Sequence, residues 1–269
     1  MKKLLCGLLF LLSLEASAQE NVTFQKPSSE ILALADFIRP PQIRMSNDHN
    51  WILFLYRPTY KSLAELGQEE MKLAGLRINP ATNVESAETF FSKFSLKKIA
   101  DDKEFTDFKG MPENPALSNV TFSPDNKKLA FTQTDATGTA LFVLDLTTMQ
   151  VTQLTSYVLN ATMDAPFKWF RNSDRLLIST LPANRSKLID QTKDLPAGPI
   201  VSTSDGQVSQ LRTYQDLLKN PQDEANFETL VQSELKIVDL KGEIEMFREK
   251  SIFAGTSFSP NGEYIMVTT

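Results

Sequence analysis

Short runs of alternating apolar and polar residues recur along the chain, and tight turns join them. The clearest unit spans residues 120–131, where two alternating arms flank Ser123-Pro124-Asp125-Asn126. Proline fixes φ, and Asp and Asn side chains hydrogen-bond the nearby backbone, so this sequence predicts a turn between two strands. The unit recurs in residues 256–267, in weaker form in residues 43–54, and as a fourth echo in residues 167–178.

Repetition of one strand-and-turn unit is typical of a β-propeller, whose blades surround a central axis. Strands with hairpin-length connections follow one another in residues 120–154 and again in residues 234–247, as antiparallel blades require. The repeat anchors are Ser46, Ser123, Arg171 and Ser259. Their spacing is uneven, whereas a blade takes roughly 40 to 50 residues. We therefore expect an all-β fold, a partial β-propeller of about three blades plus the start of another, with insertions in the long intervals.

Three short segments have the pattern of helices. Residues 29–36 place apolar side chains at helical spacing before two prolines stop the run. Ser62 and Glu65 have the spacing of a capping box, which predicts a helix over residues 62–67. Residues 213–220 are also predicted to be helical. The last two segments would be short helical insertions in the propeller.

The N-terminus has the pattern of a secretory signal peptide. Residues 1–18 contain a basic start, an apolar run and small residues, which predicts cleavage between Ala18 and Gln19. Residues 19–42 are then a lead-in segment, and residues 43–269 are the propeller fragment. The apolar run is too short to cross a bilayer, so no membrane span is expected. We expect an exported protein, periplasmic or extracellular.

Composition narrows the chemistry further. The chain has 28 Lys and Arg against 33 Asp and Glu, a net charge of -5, which makes nucleic acid an unsuitable partner. Its single histidine, His49, lies in a predicted turn, and no G-x-S-x-G sequence is present. A nucleophilic hydrolase needs both a base and an activated nucleophile. Ligand clusters for zinc and glycine loops for phosphate are also missing from the sequence. We expect no catalytic residue, cofactor or metal site in this chain.

Four cations lie in or beside a loop-rich stretch, residues 180–212: Arg185, Lys187, Lys193 and Arg212. They are either solvated loop charges or groups that recognise an acidic substrate. Arg185 and Arg212, which bracket the stretch, are the candidates for substrate recognition, since a guanidinium can bind a carboxylate with two parallel hydrogen bonds.

Three idiosyncratic segments carry a family resemblance: residues 62–80, 195–200 and 212–221. They resemble the N-terminal propeller of glutamyl endopeptidase-like enzymes in the prolyl oligopeptidase family of serine peptidases. The resemblance covers nearly all of the chain after the signal. It implies that an α/β-hydrolase domain, which supplies the catalytic Ser, Asp and His, follows the propeller in the complete enzyme.

The resemblance also implies a role. The propeller would gate and wall the chamber in which peptide substrates are cleaved, with cleavage after Glu, and this chain alone would be inactive. The specificity arginine could equally lie in the hydrolase domain. The alternative is a free-standing periplasmic propeller that binds a protein or glycan. Because the sequence ends within a predicted strand, residues 256–268, we also expect an unpaired edge that favours association.

Overall fold

A computed structural model of the protein describes residues 25–191 and 214–269, together with residues 198, 203 and 206. The chain divides into two units, Met1–Ile38 and Arg39–Thr269. In the first unit the described residues form one helix, α1 (Ser29–Ala35), which confirms the helix predicted over residues 29–36. Ala18 and Gln19, at the predicted cleavage point, lie outside the described residues.

The described part of the second unit is built mainly from β-strands. They are β1 (Gln42–Met45), β2 (Trp51–Tyr56), β3 (Met71–Leu73), β4 (Leu76–Asn79), β5 (Val84–Glu85), β6 (Lys93–Lys98), β7 (Lys103–Phe105), β8 (Leu117–Phe122), β9 (Lys128–Thr134), β10 (Thr139–Asp145), β11 (Gln150–Gln153), β12 (Phe167–Trp169), β13 (Arg175–Thr180), β14 (Ser233–Asp239), β15 (Ile244–Ser251), β16 (Gly255–Phe258) and β17 (Ile265–Thr268). Two helices interrupt them, α2 (Leu63–Leu66) and α3 (Pro221–Val231). None of the helices in the described residues is long and apolar enough to cross a membrane.

These strands pair in chain order into antiparallel blades. Within the described residues, blade one is β1-β2-β6-β7, blade two is β8-β9-β10-β11, blade three is β12-β13-β14-β15, and the hairpin β16-β17 begins a fourth. A small sheet, β3-β4-β5, stands apart from them. The all-β fold and the expectation of about three blades plus the start of another are confirmed.

The turn between the first and second strand of each blade has one geometry. The first N–H of the turn donates to the carbonyl five residues later, over 2.9–3.0 Å, in the pairs Ser46–Trp51, Ser123–Lys128, Phe170–Arg175 and Ser259–Tyr264. The fourth residue of each turn has positive φ: His49 (57°), Asn126 (56°), Ser173 (61°) and Gly262 (77°). The third anchor is therefore Phe170. Arg171, assigned from the sequence, is one residue too late.

Neighbouring blades pack face to face through apolar cores. Alternate residues of blade two serve different neighbours: Leu129 and Phe131 pack with Leu53 of blade one, whereas Ala130 packs with Trp169 of blade three. Side chains alternate across a strand, so a strand covered on both faces is apolar at consecutive positions over much of its length. This accounts for the continuous apolar runs of β9 and β10. A third core joins blade three to the hairpin through Phe170 and Phe258, whose rings lie 4.8 Å apart.

The repeated turns also bond to one another from blade to blade. The N–H of Asn47 donates to Asn126 Oδ1 (3.0 Å), the N–H of Asp125 donates to Ser173 Oγ (3.0 Å), and Arg171 Nη1 donates to the carbonyl of Pro260. The four turns thus form a continuous row along one end of the sheets. We call this the turn end.

Both long intervals between anchors are explained by insertions, as the sequence predicts. The first insertion, residues 57–92, holds α2 and the sheet β3-β4-β5, and the second, residues 181–232, holds α3. The predicted capping box of α2 is present, with Ser62 and Glu65 bonded reciprocally. The helix predicted over residues 213–220 is wrong, since residues 214–220 are not helical. The helix begins after Asn220, whose side chain caps it by accepting from the N–H of Asp223 (2.7 Å).

Candidate functional site

Strand direction places both insertions at the same end of the blades. In an antiparallel meander, successive connections alternate between the two ends. The connection from the first to the second strand lies at the turn end, so the connection from the second to the third lies opposite. The first insertion joins β2 to β6 and the second joins β13 to β14. We call the end that carries both the insertion end.

The two insertions pack against each other in one lobe. Leu73 and Ile78 of the first share an apolar core with Leu230 and Val231 of the second. Polar contacts add to it: Asp216 accepts from the N–H of Gly75 (3.1 Å) through its main chain and pairs with Arg77 Nε (3.4 Å) through its carboxylate. Elements from blades one and three are therefore joined across the insertion end of blade two.

A cavity of about 370 Å³ lies between the first insertion and blade two. Its polar lining residues include Lys61, Glu65, Gln68, Asn79, Glu88, Asn114 and Asp135. Some of these groups already have partners inside the protein: Lys61 Nζ donates to the carbonyl of Ser86 (2.9 Å), and Asn79 donates to Gln68 (2.8 Å). The lining suits a polar ligand that forms hydrogen bonds, such as an extended peptide.

A groove of about 490 Å³ lies between the first strands of blades one and two, with the first insertion beside it. Arg44 lines it from β1, Arg57 from the first position of the insertion directly after β2, Asn119 and Thr121 from β8, and residues of the segment 85–91 from farther along the insertion. We call it the arginine groove. Asn119 has a φ of 52° at an irregularity where the pairing of β8 with β9 shifts register. Bulges of this kind often redirect a side chain next to a binding site.

The first insertion also supplies a half-buried carboxyl group, that of Glu88. Burial, and then the nearby charge of Glu85, raise the pKa of Glu88, while Lys61 acts against them. Glu88 lines both the 370 Å³ cavity and the arginine groove. The segment that carries it forms the partition between the two spaces.

The candidates from the sequence lie elsewhere or outside the described residues. Arg185 belongs to the second insertion, where Nε donates to the carbonyl of Thr229 (3.0 Å) near the end of α3, and burial lowers the pKa of its guanidinium. Its Nη2 is buried and has no hydrogen-bond partner among the described residues. Arg212 lies outside the described residues. His49 is exposed at the turn end, away from both cavities. Within the described residues, no group of three His, Cys, Asp or Glu side chains is placed to hold a metal ion.

Sequence reasoning missed Arg44 and Arg57, although the signal was present. Trp51, Leu53 and Leu55 alternate as the buried face of β2, and Arg57 is the next member of that series. Alternation therefore directs Arg57 toward blade two, at the point where the apolar face ends. A cation at the next alternating position after a run of buried apolar residues indicates the edge of the core.

Comparison with known proteins supports the family resemblance. The chain is 30% identical over 259 residues to a probable chloroplastic glutamyl endopeptidase of Oryza sativa subsp. japonica. That alignment covers 91% of this chain and 27% of the rice protein. The chain is 31% identical over 280 residues to the Arabidopsis thaliana protein of the same name, with coverages of 96% and 28%. The chain thus spans about a quarter of the length of these relatives. No family model matches it.

Among solved structures, one from a study of two prolyl endopeptidases superposes with a TM-score of 0.47 at 14% identity, over 90% of this chain and 28% of that one. The resemblance to glutamyl endopeptidases that the sequence indicates is confirmed by the two plant relatives.

Proposed function

We propose that this relative of the glutamyl endopeptidases forms the N-terminal propeller part of a serine peptidase and, with its insertion end, walls and gates the chamber where peptides are cleaved. The observation that carries the proposal is the identity of 30–31% to the two plant proteins over more than nine-tenths of the chain. Cleavage after Glu, which the name of those relatives indicates, is part of the proposal.

Strand parity supports the choice of end. Each blade has four strands, so its first strand starts and its last strand finishes at the same end. Because β1 runs into the turn end, it starts at the insertion end, as β8 and β12 do. A domain that follows a whole number of blades would therefore connect at the insertion end, beside the cavity and the arginine groove. Peptides held between the two domains would meet the lining of both spaces.

The coding sequence tests the proposal directly. We expect an open reading frame beyond the codon for Thr269 that encodes G-x-S-x-G, followed by an Asp and a His of an α/β-hydrolase domain. A stop codon at that point, confirmed by the mass of the natural protein, would instead favour a free-standing propeller that binds a protein or glycan.

Export of the protein is a separate proposal that rests on the N-terminal sequence. Cleavage between Ala18 and Gln19 would leave a mature protein that begins at Gln19. N-terminal sequencing or intact mass of the secreted protein measures this. A protein that retains residues 1–18 would contradict it.

A further inference from the structure

We propose that the arginine groove is a carboxylate-binding site for acidic peptides, with Arg57 as the recognition group and Arg44 as its support. The inference rests on the proposed function for the choice of a peptide as ligand. The preference for a carboxylate follows from the groove itself. It assigns acidic-residue recognition to β1 and the start of the first insertion, whereas the candidates from the sequence lie in and beside the second insertion.

Register places both guanidinium groups on one wall. Arg44 pairs with Leu53 across β1 and β2, and directly paired residues point to the same face of a sheet. Leu53 packs toward blade two, so Arg44 does as well, and its Nη1 reaches the carbonyl of Val120 in β8 (2.6 Å). Arg57 follows Leu55 on the same face, two residues farther toward the insertion end. The two cations thus face β8 of blade two, separated by one level, that of Leu55 and Gln42.

Arg57 is the group available for a ligand. Among the described residues it forms no hydrogen bond and no ion pair, and its side chain is exposed at the groove. Arg44 keeps one nitrogen on the carbonyl of Val120, which holds its charge at the groove floor. A guanidinium offers a planar fork of donors that matches a carboxylate, and a second nearby cation strengthens the attraction. The hydroxyl of Thr121 lines the opposite wall.

The acidic groups of the groove orient the ligand rather than neutralise the arginines. Glu85 and Glu88 line the groove from the insertion, yet neither forms an ion pair with Arg44 or Arg57 in the described residues. A carboxylate is therefore repelled from the side of Glu85 and Glu88 and attracted to the side of Arg44 and Arg57. Main-chain amides of a peptide can face the glutamates, since N–H groups donate to carboxylates.

Binding of blocked peptides to the protein tests the site. We would titrate it by calorimetry with an N-acetylated, C-amidated peptide that contains one Glu, and with its Gln counterpart. We expect the Glu peptide to bind about tenfold more tightly, as expected for one charged hydrogen-bonded pair. Arg57→Met should bring the ratio of the two dissociation constants close to one. Because Arg57 is exposed and forms no hydrogen bond or ion pair with the described residues, this variant should keep the wild-type melting temperature.

Two further variants and a third peptide sharpen the result. Arg248→Met removes an exposed cation from β15 of blade three and should leave the ratio unchanged, and Arg185→Met in the second insertion should do the same. A Gln peptide with a free C-terminal carboxylate shows whether the site reads a side chain or a chain end. Tight binding of that peptide, lost in Arg57→Met, would assign the site to chain ends.

The outcomes separate this inference from the proposed function. Equal binding of Glu and Gln peptides would overturn the carboxylate site but leave a peptide-binding propeller in place. A Glu preference that survives Arg57→Met and disappears in Arg185→Met would move recognition to the second insertion and also overturn the inference. Failure to bind any of the three peptides would count against the inference and the peptide-facing role together.

Discussion

Left-handed backbone at the fourth position of each repeated turn is the residue-scale feature that defines the blades. His49, Asn126, Ser173 and Gly262 all occupy it, with φ between 56° and 77°. An L-residue with a Cβ carries a penalty of about 1–2 kcal/mol there, which Gly avoids and Asn partly offsets. The sequence predicts this position where it reads Asp-Asn or Asn-Gly. It does not do so at Ser173, because Phe170 stands where the other repeats have Ser.

In the turn of blade two, Asn126 contributes to stability in two ways, through its backbone conformation and through a side-chain hydrogen bond. Asn126 tolerates positive φ, and its Oδ1 accepts from the N–H of Asn47 in blade one (3.0 Å). We predict that Asn126→Ala lowers the free energy of unfolding by about 1–2 kcal/mol more than Asn126→Gly, since both lose the hydrogen bond and only Ala keeps the Cβ penalty. Urea unfolding measures the difference. Equal losses would show that the backbone conformation carries no cost.

Glu88 predicts a pH dependence of stability. Its pKa is raised by burial and by Glu85, so the folded state holds the proton to a higher pH than the unfolded state does. Ionisation of Glu88 therefore lowers the free energy of unfolding as pH rises through the folded-state pKa. At a pH well below the ordinary value of 4.5 the group is protonated in both states and has no such effect. We expect Glu88→Gln to stabilise the protein at pH 7 by about 1 kcal/mol or less, because the half-buried group is partly screened.

Replacing Glu65 by Gln is expected to change stability in the opposite direction, so Glu65→Gln is a matched control for Glu88→Gln. The pKa of Glu65 is lowered, chiefly because it accepts from the N–H of Ser62 in the capping box. Its charged form is therefore favoured in the folded state, and Glu65→Gln should destabilise the protein at pH 7. Thermal melts of both variants across pH 3 to 8 measure the two effects. A stabilising Glu65→Gln, or a Glu88→Gln effect that grows toward low pH, would contradict the account.

At the scale of elements, the sequence predicts strands and turns better than insertions. Alternation of apolar and polar residues predicts the strands, and the capping box predicts α2, because both signals lie within a few consecutive residues. The start of α3 depends on competition between neighbouring segments: residues 214–220 have helical composition, but Asn220 caps and Pro221 occupies the first turn, where proline is well suited. The contact between the two insertions cannot be predicted from the sequence of either one. Leu73 and Leu230 are far apart along the chain, and the fold of the blades brings them into one core.

Coupling of the insertions is testable through Leu230, which is fully buried in their shared core. We predict that Leu230→Ala destabilises the lobe by about 2–5 kcal/mol. Amide hydrogen exchange should then accelerate in β3 and β4 of the other insertion, while β9 and β10 of blade two remain protected. Leu63→Ala is the control, because Leu63 is 87% exposed on α2 and should change neither region. Acceleration confined to α3 would show that the insertions are independent.

For the whole molecule, the repeated strand-and-turn unit in the sequence predicts the propeller architecture. The buried faces of the strands show which blades are neighbours. Blade two is apolar on both faces because it has a neighbour on each side, with Phe131 and Phe142 directed one way and Leu141 the other. Trp51 and Trp169 belong to the cores on the two sides of blade two, and both are 9% exposed. The arginine groove was not predicted, because Arg44 lies in β1 and Arg57 follows the end of β2, so their proximity depends on the register between the two strands.

Site-specific photo-crosslinking tests directly whether peptides bind at the insertion end. A photoreactive benzoylphenylalanine would replace Gln68, which is exposed at the insertion-end cavity, or Lys127, which is exposed at the turn end. On illumination with a Glu-containing peptide, the account predicts a covalent peptide adduct at position 68 and none at position 127, with labelling reduced by excess unlabelled peptide. Labelling at position 127 alone, or equal labelling at both positions, would contradict it.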